Sequence, residues 1–179
     1  GVSNLVGNAP LEQAMQVEFD KLGPVMFDNQ DAAFADEIRK TLTADDIAAS
    51  FQRAGRETPP DLPLCDFVAP LERPSIGGEG STDVGDVSWV TPTVQARVAT
   101  CAVGTPFHTW QTVAQGKTPA AHKGMIHAAK VMAATATHLI NSPETLKAAR
   151  DIHDQRQNTT PYVCPISSDQ KPPVVEQPH

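Results

Sequence analysis

A proline-rich stretch between residues 54 and 80 divides this 179-residue chain into two unlike parts. Five prolines fall between Thr58 and Pro74, and the run Gly77-Gly78-Glu79-Gly80 follows them. Proline fixes φ and lacks an N–H donor, and glycine weakens helices and strands, so no long regular element can cross this stretch. Loops of this length in compact domains are usually functional or unstructured. The chain must therefore fold from two groups of elements joined by a long connection.

Helical patterns occur on both sides of this connection. Before it, Asn8-Ala9-Pro10 and residues 29–31 offer helix starts, and Thr43-Ala44-Asp45-Asp46 resembles a capping box. After it, residues 120–140 give the strongest helical pattern in the chain, and residues 144–157 predict a more polar helix. The apolar stripe of the first of these two helices is composed of Met125, Ala128, Ala129, Met132, Ala136, Leu139 and Ile140.

Two short segments have the composition of buried strands. Residues 64–69 (LCDFVA) and 94–103 (VQARVATCAV) are rich in apolar, small and β-branched side chains. Helices alternating with a few buried strands indicate an α/β fold in which helices cover the strands. The polar, proline-rich residues 166–179 predict a disordered tail.

Charge and composition limit the classes of partner. The net charge is −7 and the 14 basic residues form no run, which argues against binding to nucleic acid. No stretch approaches the ~20 apolar residues of a membrane span. Three widely separated cysteines give no disulfide framework, and the first residues do not resemble a secretory signal. We therefore expect a cytoplasmic protein.

One candidate site loop precedes the second part of the chain. Residues 80–88 concentrate glycine, hydroxyl and carboxylate groups, as loops at functional sites often do. The same residue types also form turns and helix caps, so a purely structural interpretation stays open. The candidate residues of this loop are Ser81, Thr82, Asp83 and Asp86.

A second candidate is His108, which follows Gly104-Thr105-Pro106 at the end of the predicted strand. Imidazole is the commonest metal ligand in proteins, but a catalytic zinc ion needs about three protein ligands. A packed or hydrogen-bonded surface histidine is the alternative. His122 begins the long helix and is close enough in sequence to support the same site, whereas His127 and His138 are expected to be structural or solvated.

A thiol mechanism provides a further alternative. Cys101 and His108 could form a nucleophile and base pair, as in cysteine hydrolases. Cys101 lies in the apolar predicted strand, however, and buried thiols are normally unreactive. This alternative requires Cys101 to react readily in the folded protein.

Four long stretches together resemble a known family. They are GSTDVGDVSW (80–89), AVGTPFHTWQ (102–111), QGKTPAAHKGM (115–125) and PYVCPI (161–166), and NAPLEQAM and TADDIAASF fit the same order. The chain resembles the p-aminobenzoyl-glutamate hydrolase B-subunit group of the aminoacylase/carboxypeptidase metallopeptidases, metallopeptidase family 20. The resemblance covers essentially the whole chain but only about the last third of the family's length.

This resemblance implies a domain organisation. Residues 1–8 would end an inserted lid domain, and residues 9–165 would form the C-terminal segment of a zinc-peptidase-like α/β/α catalytic domain. The missing N-terminal catalytic half would carry the other metal ligands and the glutamate that moves the proton. On this resemblance His108 matches the family's final metal-binding histidine. Asp83 would line the same cleft and orient a ligand or the substrate, with Ser81, Thr82 and Asp86 as weaker candidates and His122 left open.

The implied activity is metal-assisted hydrolysis of N-acyl or aroyl amino acids such as p-aminobenzoyl-glutamate. The implied cofactor is a divalent metal, zinc or manganese, with one matched ligand in this chain. Expected partners are the missing N-terminal half and an identical or related subunit, with a small amide as substrate. Because one ligand cannot hold a catalytic metal, the chain alone is expected to be inactive. The alternative is a non-enzymatic binding or assembly subunit derived from the same family.

Overall fold

The computed structural model describes residues 3–56, 61–72, 82–167 and 169–171. Within these ranges the chain forms seven α-helices: α1 (Ala9–Leu22), α2 (Asn29–Arg39), α3 (Ala44–Arg53), α4 (Val84–Val90), α5 (Trp110–Gln115), α6 (Pro119–Ile140) and α7 (Pro143–Thr159). Residues 61–72 and 91–102 form irregular segments without helix or strand.

Local capping chemistry sets the helix starts. The Asn8 side chain accepts a hydrogen bond from the Leu11 N–H, and Pro10 occupies the first turn of α1, where its missing donor costs nothing. Thr43 and Asp46 form the expected reciprocal capping box of α3. Asp28 and Asp31 form a second capping box at α2. The predicted helix starts are confirmed, and those of α2 and α6 are placed to within two residues.

Helices α1, α6 and α7 pack against one another and form the frame of the molecule. Asn8 links two of them, because its Nδ2 donates to the Ala149 carbonyl of α7 at 2.9 Å while its Oδ1 caps α1. Both bonds are buried, so the entry of α1 and the middle of α7 are fixed relative to each other.

A small apolar core joins the helices to the segment that carries the candidate histidine. Its buried members are Ala35, Ile38, Leu64, Ala102 and Ala120, with Phe27 packed against them. Ala102 lies six residues before His108, so this core anchors the first end of the histidine loop.

The predicted α/β class, with few strands covered by helices, is wrong for the described residues, which contain no strand or sheet. Residues 64–69 and 94–103 are irregular, with bends or turns at residues 64, 67, 101 and 103, and do not pair as strands. The Val103 N–H donates to the Pro63 carbonyl at 2.9 Å, and no further backbone bond joins the two segments within the described ranges. Strand composition alone does not make a strand, since a ladder also requires a paired neighbour.

The apolar stripe of α6 is not its buried face. Met125, Met132 and Ile140 are more than half exposed, whereas the buried face consists of Ala120, Ala121, Gly124, Val131 and Thr135. This face is narrow because α6 lies very close to the backbone at Ala99, which only small side chains allow. Methionine and alanine favour helices wherever they lie, so the sequence did not distinguish the two faces.

The site residue Ser81 lies outside the described residues, as does most of the predicted tail at 166–179. The domain boundaries at residues 8 and 165 also stay predictions. No helix in the described part of the chain is long and apolar enough to cross a membrane.

Candidate functional site

His108 lies at the tip of a tight loop between Ala102 and α5. Its φ of 63° is left-handed, and among the described residues no other non-glycine residue has a positive φ. For an L-residue this conformation costs about 1–2 kcal/mol, so the surrounding structure must hold it in place. The loop therefore presents the exposed His108 side chain in a conformation that a free chain would rarely adopt.

Threonine hydroxyls close this loop. The Pro106 carbonyl accepts hydrogen bonds from the Oγ1 atoms of Thr109 and Thr112, each at 2.7 Å. At the other end, Thr105 Oγ1 donates to the Ala102 carbonyl, also at 2.7 Å. The hydroxyls thus fix both flanks of His108 and leave its imidazole free to meet a ligand.

Large apolar side chains surround His108 in the sequence. Phe107 is 74% exposed, Trp110 60% and Val113 80%. Large exposed apolar side chains also occur elsewhere on the chain, for example Met125 and Ile126, but these three lie within seven positions around the candidate histidine. We call Phe107, His108, Trp110 and Val113 the histidine surface.

The second predicted loop only partly enters the structure. Thr82 Oγ1 accepts from the Val84 N–H at 3.3 Å, so it caps the start of α4. Asp83 is exposed and its side chain makes no capping bond. Of these two residues, Asp83 is the one whose functional group is available to a ligand.

The carboxylate of Asp86, by contrast, is already hydrogen-bonded within the protein. Its Oδ1 accepts from the Ser3 N–H at 3.3 Å and from the Tyr162 hydroxyl at 3.1 Å. The hydrogen bond with Ser3 is the main cause that holds the pKa of Asp86 below its usual range. Burial and the bond to Asp86 raise the pKa of Tyr162 to about 12. Asp86 therefore joins α4 to the first described residues and to the segment after α7.

The structure does not assemble these candidates into one cluster. No hydrogen bond or ion pair joins Asp83, Asp86 or His122 to His108 in the described ranges, and His122 is exposed on the first turn of α6. Nor do the residues described contain any group of three or more histidine, cysteine or carboxylate side chains able to hold a metal ion.

The thiol alternative finds no support at Cys101. The side chain is half-buried, and burial raises the pKa of the thiol. A raised pKa lowers the fraction of thiolate, which is the nucleophilic form.

The other predicted histidines have structural surroundings. His138 Nδ1 lies 2.7 Å from Glu18 Oε1, which also accepts from Lys21 Nζ at 2.7 Å. His127 packs 6.5 Å from the Phe19 ring, between centroids. His138 therefore pairs α6 with α1, in agreement with its predicted structural role.

Sequence reasoning missed the residue that ties the histidine loop together, Gln115. The side chain is 3% exposed and reaches both ends of the loop. Its partners are up to 13 positions away, so no local pattern in the sequence indicates its role.

A cavity of about 440 Å³ lies elsewhere, between α1, the end of α3 and the segments at 65–71 and 93–99. Its lining is more apolar than polar and includes Phe19, Phe67 and His127. None of the predicted site residues lines it. The candidate site is therefore the exposed histidine surface and not this cavity.

Comparison with known proteins gives one informative relative. The chain is 40% identical over 184 aligned residues to the B subunit of p-aminobenzoyl-glutamate hydrolase from Escherichia coli (strain K12), and the match covers 95% of this chain. It spans 37% of the length of that relative. No family model matches the chain, and no solved structure matches it. The identity confirms the resemblance seen in the sequence and is consistent with a C-terminal portion of that family.

Proposed function

We propose that this chain, related over nearly its whole length to part of the p-aminobenzoyl-glutamate hydrolase B subunit, contributes a metal-binding histidine to an amidohydrolase. The substrates would be N-acyl or aroyl amino acids such as p-aminobenzoyl-glutamate. The sequence identity carries this proposal. The geometry supports it, because the matched histidine, His108, is exposed on a loop that hydrogen bonds hold in a defined conformation.

The described residues do not fit a complete metal site by themselves. They offer His108 and no set of further ligands around it, whereas a catalytic zinc needs about three. We therefore assign the remaining ligands of a zinc or manganese ion, and the glutamate that moves the proton, to parts of the enzyme outside this chain. No step of the hydrolysis is assigned to the residues described.

Within the chain, two side chains would act on what the site binds. A neutral His108 imidazole offers one nitrogen lone pair to a cation, and its other ring N–H can be fixed by a neighbour. The exposed Asp83 carboxylate would orient a ligand or the substrate by hydrogen bonding. Ser81, Thr82 and His122 stay weaker candidates, and Asp86 is already occupied by Ser3 and Tyr162.

The proposal includes a partner. The relative's name describes one subunit of an enzyme, and the histidine surface of this chain exposes Phe107, Trp110 and Val113 to solvent. A second polypeptide, from the rest of the enzyme or from a related protein, would cover this surface and complete the site. The isolated chain would then hydrolyse no amide at a measurable rate, and we expect the enzyme in the cytoplasm.

The test measures metal content and hydrolysis of p-aminobenzoyl-glutamate in the native protein that carries this sequence. His108→Ala should lower both, by more than the ~10–100-fold typical of losing an outer-shell partner. Asp83→Asn should lower activity with the metal largely retained. The control is Lys117→Ala, at an exposed residue just after α5. Unchanged metal content and activity in His108→Ala would mean that the site is misplaced.

A non-enzymatic binding protein is the second candidate, and the exposed histidine surface favours it as much as it favours a catalytic partner. Native protein that binds its partner but hydrolyses no acyl or aroyl amino acid, with zinc or with manganese, would select this candidate.

A further inference from the structure

The histidine loop depends on one buried side chain that no local pattern predicts. Gln115 is the last residue of α5 and is 3% exposed. Its Oε1 accepts from the Ala102 N–H at 2.7 Å, and its Nε2 donates to Thr105 Oγ1 and to the Gln111 carbonyl, each at 3.0 Å. One side chain thus bonds both to the start of the loop and to the helix that ends it.

The chemistry of these three bonds specifies glutamine. The Ala102 N–H can only donate, so the side-chain oxygen of Gln115 must face it. The Gln111 carbonyl can only accept, so the side-chain nitrogen of Gln115 must face that carbonyl. Both N–H groups of the amide are then used. Glutamate could keep the first bond but not the bond to the Gln111 carbonyl, and it could bond to Thr105 only if that hydroxyl gave up the Ala102 carbonyl; alanine keeps none.

These hydrogen bonds do not involve His108 itself, but they hold the residues that precede it in the loop. Ala102 is 2% exposed and belongs to the apolar core. Because Gln115 bonds to both Ala102 and Thr105, it holds Thr105, three residues before His108, in a fixed position relative to this core. Thr105 Oγ1 in turn donates to the Ala102 carbonyl and closes the base of the loop. A left-handed histidine persists only where its surroundings determine the backbone, and this network does so.

We propose that Gln115 is the positioning residue of His108: it holds the loop base so that the imidazole points to one place. The inference rests on the proposed role of His108, but the positioning itself can be measured without metal or substrate.

The experiment is NMR on the isotopically labelled chain. In the wild type, His108 should show the strong intraresidue HN–Hα cross-peak of a positive φ, and the Ala102 amide should exchange slowly. Gln115→Ala should weaken that cross-peak and accelerate Ala102 exchange by about 10-fold or more, because the amide loses its acceptor. The control is Gln111→Ala, whose side chain makes no hydrogen bond in the described ranges and whose carbonyl is kept.

Two further variants keep the test decisive. Gln115→Glu should retain protection of the Ala102 amide while the His108 signature weakens, which separates the acceptor from the donors. If Gln115→Ala does not fold, Thr105→Val removes one partner of the amide at nearly constant volume and should weaken the same signature. An unchanged His108 cross-peak in folded Gln115→Ala, or in Thr105→Val, overturns the proposal.

A zinc titration followed at the His108 ring resonance, in the native protein, tests the proposed function separately. A response to zinc that weakens in Gln115→Ala supports both claims. No response to zinc, with the loop signature still dependent on Gln115, refutes the metal role and leaves the positioning role standing.

Discussion

Gly124 is a position where one added methyl group should weaken the support of the site. It lies inside α6, which crosses directly over the backbone at Ala99 and Thr100. A Cβ built at Gly124 would overlap the Ala99 carbonyl oxygen, and would lie 2.8 Å from Thr100 Cγ2 and 3.0 Å from the Ala99 carbonyl carbon. The helix and the segment leading to the histidine loop could not keep this approach.

Two opposing effects set the size of the change. In a helix interior, alanine is favoured over glycine by about 0.8–1.0 kcal/mol. Overpacking costs about 1–3 kcal/mol, and here the upper part of that range applies because the contact is a backbone carbonyl that cannot rotate away. Gly124→Ala should therefore lower the free energy of unfolding by roughly 1–2 kcal/mol, against the helix propensity.

The assay is urea unfolding followed by circular dichroism, with Gly116→Ala as the matched control. Gly116 follows α5, and an added Cβ there would meet nothing closer than the Val113 carbonyl oxygen at 3.6 Å, an ordinary contact. The control should be neutral or stabilised by up to ~1 kcal/mol. A Gly124→Ala chain as stable as the wild type, beside a control that behaves as expected, would refute the close approach of α6 to residues 99–100.

Three further outcomes follow from the ionisable groups. Ultraviolet titration of Tyr162, the single tyrosine, should give a pKa of about 12 in the wild type. In Asp86→Asn this pKa should fall but stay above the ordinary value for tyrosine, because the side chain is still half-buried. A wild-type Tyr162 with an ordinary pKa would contradict its contact with Asp86. Iodoacetamide should label the exposed Cys164 well before the half-buried Cys65 and Cys101, and rapid labelling of Cys101 would revive the cysteine-hydrolase alternative. The hydrogen bond from Lys123 lowers the pKa of Asp28 in the folded protein. The ionised Asp28 therefore stabilises the fold fully above about pH 4, and this stabilisation is lost as the pH falls through the pKa of Asp28 in the folded state. Lys123→Met should therefore flatten the acid side of a plot of urea midpoint against pH, and an unchanged acid side would show that the pair contributes nothing.

Features set by neighbours in sequence were predictable. Asn8, Pro10 and the Thr43–Asp46 capping box identify helix starts because their hydrogen bonds reach only three residues along the chain. His108 was identifiable by its residue type and its position after Thr105-Pro106, together with the family resemblance.

Features set by distant contacts were not predictable. Residues 94–103 have strand composition, but pairing depends on a neighbour that the described residues do not provide. The buried face of α6 follows from the approach of Ala99 to Gly124, across 25 positions. Gln115 acts through Ala102, 13 positions earlier.

The left-handed backbone of His108 was equally hidden from the sequence, because few non-glycine residues adopt a positive φ, even though histidine is enriched among them. The conformation belongs to the loop network and not to the histidine itself. The sequence and its family resemblance therefore singled out His108 as a candidate, and the structure shows how its loop is held.

The most direct measurement is anomalous X-ray scattering from crystals of the native protein loaded with zinc or with manganese. The account predicts a metal peak at about 2.0–2.1 Å from a ring nitrogen of His108 for zinc, with the other ligands from residues outside this chain. A metal bound in the protein with the His108 imidazole free, or no metal in a protein that still hydrolyses p-aminobenzoyl-glutamate, would contradict it.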